Sequence, residues 1–327
     1  MAGGILVITE TEEGKPTALS LEMLGLARRL ADGEGGGVTA VVLGSSIAGI
    51  AERLVAHGAD TVFAGDHEAF APYVADAWLP DVAKIAQETE PAVILLAHST
   101  IGWDLAPRLA FRLDTAVATG CEAVEADTGK ILMTRACYGG KAREQISFTT
   151  APAIATVKSK TQEPLEPDES RSGEIAVLQS VLSPDQVRVK VTGQHREQEE
   201  GVRLETAKVV VAGGGGLGGP DGFKVAKELA DLLGGAIGAS RVAVENGWCP
   251  HSWQVGLSGK TVAPDLYIAI GISGAGQHMA GCANSGTIVA INQDADAAIF
   301  QSAKYGITAG YEELIPALIE EIKKIRA

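Results

Sequence analysis

Aromatic residues and positive charge are both scarce in this sequence, and each shortage argues against a class of function. Aromatic side chains make up only 5% of the 327 residues, which disfavours a surface that stacks nucleic-acid bases. Lysine and arginine total 27 against 41 acidic residues, and the formal net charge is −14. A field of that sign repels a nucleic-acid backbone or an anionic membrane. We therefore expect no nucleic-acid partner.

Long apolar runs and metal-ligand spacings are also lacking. No apolar stretch approaches the roughly 20 residues that span a bilayer, and no basic segment precedes the strand-like residues 5–8. We therefore expect neither membrane insertion nor a signal peptide, and we place the protein in the cytoplasm. The 4 cysteines form no C-x-x-C pair and the 6 histidines form no metal-binding motif, so free thiols and no metal are predicted.

Strand-like and helix-like segments alternate through the first half of the chain. Buried strands are predicted at residues 5–9, 38–43, 61–64 and 93–97. Helices are predicted over residues 21–30, 47–57, 73–88 and 102–112. This alternation predicts an α/β domain with a parallel sheet and helices on both faces. Three short strands without helical period follow, and we expect an antiparallel addition to this sheet from residues 131–137, 145–148 and 154–157.

A polar region separates this domain from the next. Residues 158–174 are rich in proline, acidic residues and serine, which predicts a loop, and residues 187–191 predict one more strand. Residues 194–201 have no apolar stripe, so we place the boundary there. We expect an N-terminal domain over residues 1–200 and a doubly wound domain of Rossmann or flavodoxin type over residues 201–327.

A strand that ends in a glycine-rich elbow is the most informative part of the second domain. The apolar residues 266–270 pass into Gly271-Ile-Ser-Gly-Ala-Gly-Gln-His278, and a further strand is predicted at residues 287–291. Glycines let a ligand approach the backbone, whose N–H groups bind anions. A helix that begins near Ala275 would point its positive end at the same place. The elbow therefore predicts a site for a phosphate-bearing cofactor.

Other motifs match less well. Residues 214–219 fit G-x-G-x-x-G, but Ser240 and Arg241 stand where NAD sites carry an acidic residue, although an arginine there would suit an NADP phosphate. Residues 255–261 resemble the end of a P-loop without its first glycine. Residues 271–275 nearly match the G-x-S-x-G of hydrolases, but a triad also needs an acid and then a later histidine, and the only histidine after Ser273 is His278, in the same elbow.

Polar residues at predicted strand ends or in the loops that follow them form the remaining candidate site. They are Arg241, Ser258, Ser273, Gln277, His278 and Asn292. Because the carboxyl ends of parallel strands share one edge of a sheet, we expect these side chains around one ligand. A cation, hydroxyls, an imidazole and amides suit the tuning of a redox ring better than bond cleavage. No catalytic residue is therefore predicted.

Residues 266–281 closely resemble the signature of the electron transfer flavoprotein alpha subunit. The resemblance continues through residues 287–294 and 298–306, and residues 238–241 and 254–260 match in order and spacing. It is dense from about Val209 onward and looser over the first half. The resemblance implies a heterodimer with a beta subunit and an FAD held mainly by the C-terminal domain of this chain.

The resemblance also implies roles for individual residues. Arg241 would lie against the isoalloxazine ring, Ser258 near N5 and His278 near O2, whereas Asn292 would lie toward the ADP end. The elbow would cradle the cofactor with backbone N–H groups. The full set of implied FAD-binding residues is Ser240, Arg241, Gln254, Val255, Gly256, Leu257, Ser258, Gly271, Ser273, Gly274, Ala275, Gly276, Gln277, His278 and Asn292.

Four positions depart from the family pattern. Gly215 stands where the family often has an arginine, and Leu257 where it commonly has a glutamine. Gly276 replaces a larger apolar residue, and Gly310 replaces an aspartate near the adenosine end. By the resemblance, the changes at Gly215 and Leu257 would each remove a contact with the cofactor, and the change at Gly310 would affect its adenosine end. The arginine, serine and histidine around the ring are kept.

The function implied by the resemblance is electron transfer rather than conversion of a substrate. FAD would accept electrons from a dehydrogenase, such as an acyl-CoA dehydrogenase of fatty acid β-oxidation, and pass them to a quinone reductase or similar acceptor. One variant of the family oxidises NADH and divides the electron pair between two acceptors with a second FAD. Two other classes stay open, namely an NADP-dependent reductase that uses Arg241 and a non-redox regulator that binds a nucleotide.

Overall fold

The computed structural model describes residues 3–127, 129–140, 142–181, 187–193 and 201–326. They divide into two compact units, one on each side of the gap at residues 194–200. The predicted domain boundary falls almost entirely on that gap and so lies outside the described residues. Within the described ranges, no helix is both long and apolar enough to cross a membrane.

The first unit alternates strands and helices up to residue 112 and consists of strands thereafter. In chain order its elements are β1 (Ile5–Thr9), β2 (Thr11–Glu12), β3 (Lys15–Pro16), α1 (Ala18–Glu34), β4 (Val38–Gly44), α2 (Ile50–Ala56), β5 (Thr61–Asp66), α3 (Ala75–Thr89), β6 (Val93–Ala97), α4 (Thr100–Arg112), β7 (Val117–Asp127), β8 (Lys130–Cys137), β9 (Ala142–Ile146), β10 (Ala153–Val157) and β11 (Glu174–Val177). Two helices begin at hydroxyl caps, since Thr17 and Ser99 accept backbone N–H groups of α1 and α4.

One sheet of nine described strands runs through this unit in the order β11-β5-β4-β1-β6-β10-β7-β8-β9. Neighbouring strands are parallel from β11 to β7 and antiparallel from β7 to β9. Alternate residues of β1 enter opposite cores, because Ile5 packs with α1 and α2 while Leu6 packs with α3 and α4. Burial on both faces explains why the parallel strands are almost uniformly apolar.

The structure corrects part of the predicted antiparallel addition. Residues 130–137 and 142–146 form antiparallel strands as expected, but residues 154–157 belong to β10, which is parallel to both β6 and β7. All five residues of β10 are buried, with Ile154 in one core and Ala155 in the other. That position requires an apolar run without alternation, which is typical of a central parallel strand rather than an antiparallel edge.

Three further differences concern strands. No strand forms at residues 187–191, so that prediction is wrong, and the backbone N–H of Arg188 instead donates to the Asp76 carboxylate. Strand β7 was not predicted, and neither was β11, which begins at the last residue of the predicted loop and pairs with β5. Both strands carry polar residues and lie toward the ends of the sheet, where apolar runs are not required.

The second unit is a doubly wound parallel sheet, which confirms the predicted fold class. Its elements are β12 (Val209–Gly213), α5 (Pro220–Leu233), β13 (Ala236–Ala239), α6 (Arg241–Glu245), β14 (Leu266–Ile270), α7 (Gly276–Met279), β15 (Thr287–Asn292), β16 (Tyr305–Thr308) and α8 (Tyr311–Arg326). The five described strands are all parallel, in the order β13-β12-β14-β15-β16. Apolar residues of α5 and α8 cover one face, and the segments around Val255 and Cys282 cover the other.

Candidate functional site

The strand order of the second sheet reverses between β12 and β14, and two glycine loops meet at that point. The backbone N–H of Gly214 donates to the Ile270 carbonyl at 2.8 Å, and that of Gly216 donates to the Gly271 carbonyl at 2.9 Å. A Cβ atom on Gly216 would lie 2.7 Å from the Gly271 Cα atom. Glycine is therefore required because the two backbones touch. Ligands of open α/β sheets bind at such a reversal, beyond the carboxyl ends of the strands.

A cavity of about 570 Å³ opens at this edge of the sheet. Its size is within the range of small-molecule and cofactor sites. Thirteen of the fifteen residues implied by the sequence line it, namely Ser240, Arg241, Gln254, Val255, Gly256, Leu257, Ser258, Gly271, Ser273, Ala275, Gln277, His278 and Asn292. The structure thus brings together residues that are spread over 53 positions of the chain, from 240 to 292.

The two remaining implied residues, Gly274 and Gly276, lie in the same elbow but not on the cavity wall. Gly274 has a φ of +81°, and a Cβ atom there would lie 2.2 Å from the Ile299 nitrogen. Its role is therefore to let the elbow pack closely against the turn that follows β15. Gly276 begins α7, which has only four residues, so the dipole expected from a helix at this place is that of a single turn.

Residues 254–260 form a compact turn that presents Ser258 to the cavity. The Val255 N–H donates to the Ala239 carbonyl at 2.9 Å, and the Leu257 N–H donates to the Gln277 carbonyl at 2.7 Å. The turn is thereby tied to both β13 and α7. The Gln254 side-chain amide donates to the Ser258 oxygen at 3.0 Å, which leaves the Ser258 hydroxyl hydrogen to be donated elsewhere.

Two buried polar atoms on the cavity wall have no hydrogen-bond partner within the described part of the chain. They are the Ser240 Oγ atom and the His278 Nδ1 atom, and the two residues are only 9% and 7% exposed. An unpaired buried polar atom costs about 1–3 kcal/mol. Two such atoms beside one cavity indicate a ligand with polar groups at matching positions.

His278 is a neutral hydrogen-bonding group. Its Nε2 atom lies 2.9 Å from the Tyr267 hydroxyl. Burial lowers the pKa of His278 to about 4, and the Val255 backbone acts in the opposite direction. The imidazole is therefore uncharged at pH 7.

Arg241 carries the only cationic side chain among the described cavity-lining residues. It is 66% exposed, and its Nε atom pairs with the Glu245 carboxylate at 2.7 Å, one turn further along α6. Val242 and Leu257, two exposed apolar residues, lie on the same wall. This part of the cavity thus combines one partly neutralised positive charge with apolar surface.

Six cavity-lining residues are outside the implied set, namely Gly215, Gly216, Val242, Ile272, Asp294 and Ala297. Three of them carried a signal in the sequence. Gly215 and Gly216 belong to the G-x-G-x-x-G pattern, and Asp294 follows the end of β15 by two residues. Gly215, where the family often has an arginine, has room for a side chain, because the nearest atom to its Cβ position is 3.5 Å away. Gly310 is not on the wall, and a Cβ atom there would lie 2.8 Å from the Glu312 carboxylate.

A doubly wound parallel sheet with its cavity at the strand reversal defines a protein that binds a nucleotide cofactor. Comparisons with known families name the cofactor. The electron transfer flavoprotein domain matches residues 5–182, and the electron transfer flavoprotein FAD-binding domain matches residues 203–283. The chain belongs to the electron transfer flavoprotein family as an alpha subunit, and its cofactor is FAD. Both predictions made from the sequence signature are confirmed.

Individual relatives agree with the family models over nearly the full length. The chain is 42% identical over 324 residues to the electron transfer flavoprotein subunit alpha of Thermoanaerobacterium thermosaccharolyticum, covering 98% of each chain. It is 36% identical over 326 residues to that of Bacillus subtilis, covering 99% of each. It is also 33% identical over 350 residues to the acryloyl-CoA reductase electron transfer subunit beta of Anaerotignum propionicum, covering 98% of this chain and 95% of that one.

Proposed function

We propose that this chain is the FAD-carrying subunit of a heterodimer that accepts electrons from a dehydrogenase and passes them to a quinone reductase or another acceptor. The observation that carries the proposal is the set of groups around the cavity. His278 is bonded to Tyr267, Arg241 is paired with Glu245, and the Asp294 carboxylate accepts the Asp296 N–H. These groups shape an electrostatic environment instead of forming an aligned nucleophile and base.

The residues present fit FAD. Exposed backbone at the glycine loops suits the pyrophosphate, and the unpaired Ser240 and His278 atoms offer contacts for polar groups of the cofactor. Val255, Ile272, Ala275 and Ala297 supply apolar surface on the wall for flat rings. When bound, FAD supplies the one- and two-electron chemistry, which none of the described side chains on the cavity wall provides.

We assign the ring of the cofactor to the part of the cavity lined by Arg241, Ser258 and His278. There the Ser258 hydroxyl would donate to N5, the His278 Nδ1–H would donate to O2, and the Arg241 cation would lie against the ring. Each contact favours the negative charge that reduction adds to the ring, so the protein raises the reduction potential. The elbow at Ser273–Gln277 would hold the pyrophosphate, and Asn292 would lie toward the adenosine.

The names of the relatives support a choice of partners. Those from T. thermosaccharolyticum and B. subtilis are named as alpha subunits, and the relative from A. propionicum is named as an electron transfer subunit of acryloyl-CoA reductase. We propose an electron transfer flavoprotein beta subunit as the stable partner and an enzyme that oxidises or reduces a CoA thioester as one redox partner. The N-terminal domain, residues 1–200, would form the scaffold with the beta subunit.

The proposal is tested by purifying the chain with its beta subunit and recording absorbance during reduction. We expect a yellow complex whose flavin band is bleached by an acyl-CoA dehydrogenase with its substrate and restored by a quinone reductase supplied with its quinone. Bleaching by NADH alone, with delivery to two acceptors, would identify the electron-dividing variant of the family. A colourless complex that binds NADPH, or one with no flavin and no redox change, would refute the proposal.

A further inference from the structure

Tyr267 lies directly behind His278, on the side away from the cavity. It belongs to β14, its side chain is fully buried, and its hydroxyl is 2.9 Å from the His278 Nε2 atom. The Nδ1 atom of the same imidazole ring has no hydrogen-bond partner among the described residues. His278 therefore connects a buried phenol to the wall of the FAD cavity.

A neutral imidazole has one N–H group and one acceptor nitrogen, and the bond to Tyr267 decides which is which. If the phenol donates to Nε2, the hydrogen of the ring is on Nδ1. The second contact of the phenol favours this arrangement. Its other neighbour is the Cys282 thiol, and sulfur is a much weaker acceptor than an imidazole nitrogen. Of the two bonds that the Tyr267 hydroxyl can donate, the one to Nε2 is therefore the stronger.

The surroundings of the ring agree with a hydrogen on Nδ1. The Val255 backbone forms no hydrogen bond with Nδ1, but it raises the pKa of His278, which is the effect of a polar group that favours an N–H over a lone pair. Full protonation of the ring is opposed, because Nε2–H would need an acceptor and Tyr267 would have to redirect its hydrogen toward the thiol. The phenol and the burial of the ring thus both keep the imidazole neutral.

We propose that Tyr267 is a positioning residue that fixes His278 as the Nδ1–H tautomer, so that the cavity offers FAD a hydrogen-bond donor instead of an acceptor. The inference rests on the proposed placement of the flavin ring at His278. With this tautomer, a neutral donor stabilises charge on the reduced ring without a change in the protonation of the protein. With the other tautomer, the same histidine would present a lone pair to that charge and destabilise it.

The tautomer is measured directly by NMR on the FAD-loaded alpha–beta complex labelled with ¹⁵N-histidine, with His278→Ala used to assign the signals. We expect a protonated Nδ1 and an unprotonated Nε2 in the wild-type complex, and a mixed or reversed pattern in Tyr267→Phe. A wild-type ring protonated at Nε2 would overturn the proposal without any variant. Tyr311→Phe is the matched control, because it removes another hydroxyl of the second unit, which donates to the Leu217 carbonyl; the tautomer should stay unchanged.

The functional consequence is measured as the midpoint potential of FAD. Tyr267→Phe should lower it, and Tyr311→Phe should not. In a His278→Ala background, Tyr267→Phe should cause no further shift, because the phenol acts only through the imidazole. An equal shift in both backgrounds would overturn the positioning role. If His278→Ala alone leaves the potential unchanged, the proposed placement of the ring is wrong, while the NMR pattern still decides whether Tyr267 sets the tautomer.

Discussion

Replacing Gly271 by alanine tests whether contact between the two glycine loops is needed for FAD binding. Gly271 has a φ of +63°, in the left-handed region that costs a residue with a Cβ atom about 1–2 kcal/mol. Gly234, at the end of α5, has a φ of +66° and so carries the same backbone cost. The two glycines differ in what a side chain would meet.

The Cβ atom of an alanine at position 271 would lie 2.8 Å from both the Cα and the carbonyl carbon of Gly216. Those atoms are backbone and cannot rotate away, so the two loops must separate and the wall of the cavity must shift. Among the described residues, no atom lies within 4 Å of a Cβ atom placed at Gly234. Gly234→Ala is therefore a control with the same strain and no displacement of the site.

Gly234→Ala should lose about 1–2 kcal/mol of unfolding free energy, measured by urea denaturation. Gly271→Ala should lose more than that, because the contact with Gly216 adds to the same backbone cost. Only Gly271→Ala should also bind FAD at least about tenfold more weakly, which corresponds to about 1.4 kcal/mol, measured by titration of flavin fluorescence. Equal FAD affinity in the two variants would refute the reasoning, because the contact between the loops would then have no part in binding.

Three other changes give separate tests. Arg241→Ala should lower the FAD midpoint potential by roughly 40 mV, because unit charges about 4 Å apart interact by about 1 kcal/mol in water-like surroundings; an unchanged redox titration would contradict its place at the ring. Glu245→Gln should raise the potential, since it removes the carboxylate paired with that cation, and a fall would contradict this. Burial raises the pKa of Glu22 to about 7, although a hydrogen bond from the Lys160 N–H lowers it in part. The folded chain therefore favours the protonated form, and its stability should decline as the pH rises from about 4.5 to 7. Glu22→Gln keeps the acceptor and should reduce that decline in urea midpoints measured at pH 5 and 8, while the buried Glu10, whose pKa is also raised, contributes the rest; an unaltered decline would assign it to other groups.

Much of the fold is readable from the sequence because parallel strands buried on both faces are uniformly apolar. Strands β1, β4 and β6 have such runs and were predicted nearly to the residue. An apolar run does not indicate where in the sheet a strand lies. The run of β10 predicts that the strand is buried, but only tertiary packing places it between β6 and β7.

The prediction at residues 187–191 failed for a related reason. Their apolar and charged residues alternate as in a half-exposed strand, yet a strand also needs a neighbour with open hydrogen-bonding groups. The alternation of a sequence indicates that a segment can form a strand, but it does not indicate whether a partner strand is available to pair with it.

The candidate site was readable where close backbone contact demands glycine. The glycines of the elbow were recognisable in the sequence as a candidate site. A Cβ atom at Gly271 or Gly274 would lie less than 3 Å from neighbouring backbone atoms. Val242, Ile272 and Ala297 gave no such signal, since apolar residues line cavities and cores alike. The pairing of Arg241 with Glu245 and the buried phenol behind His278 depend on side-chain geometry, which spacing alone does not supply.

The place of β10 also governs how a growing chain can complete the first sheet. Until Ala153–Val157 leave the ribosome, β6 has one open edge and the β7–β9 hairpins have no parallel strand to join. Nascent or truncated chains that stop earlier would expose Val93–Ala97, whose five residues are all buried in the finished fold, as a template for aggregation. A stable fragment of the first unit should therefore extend past Val177, so that β11 also covers the edge of β5.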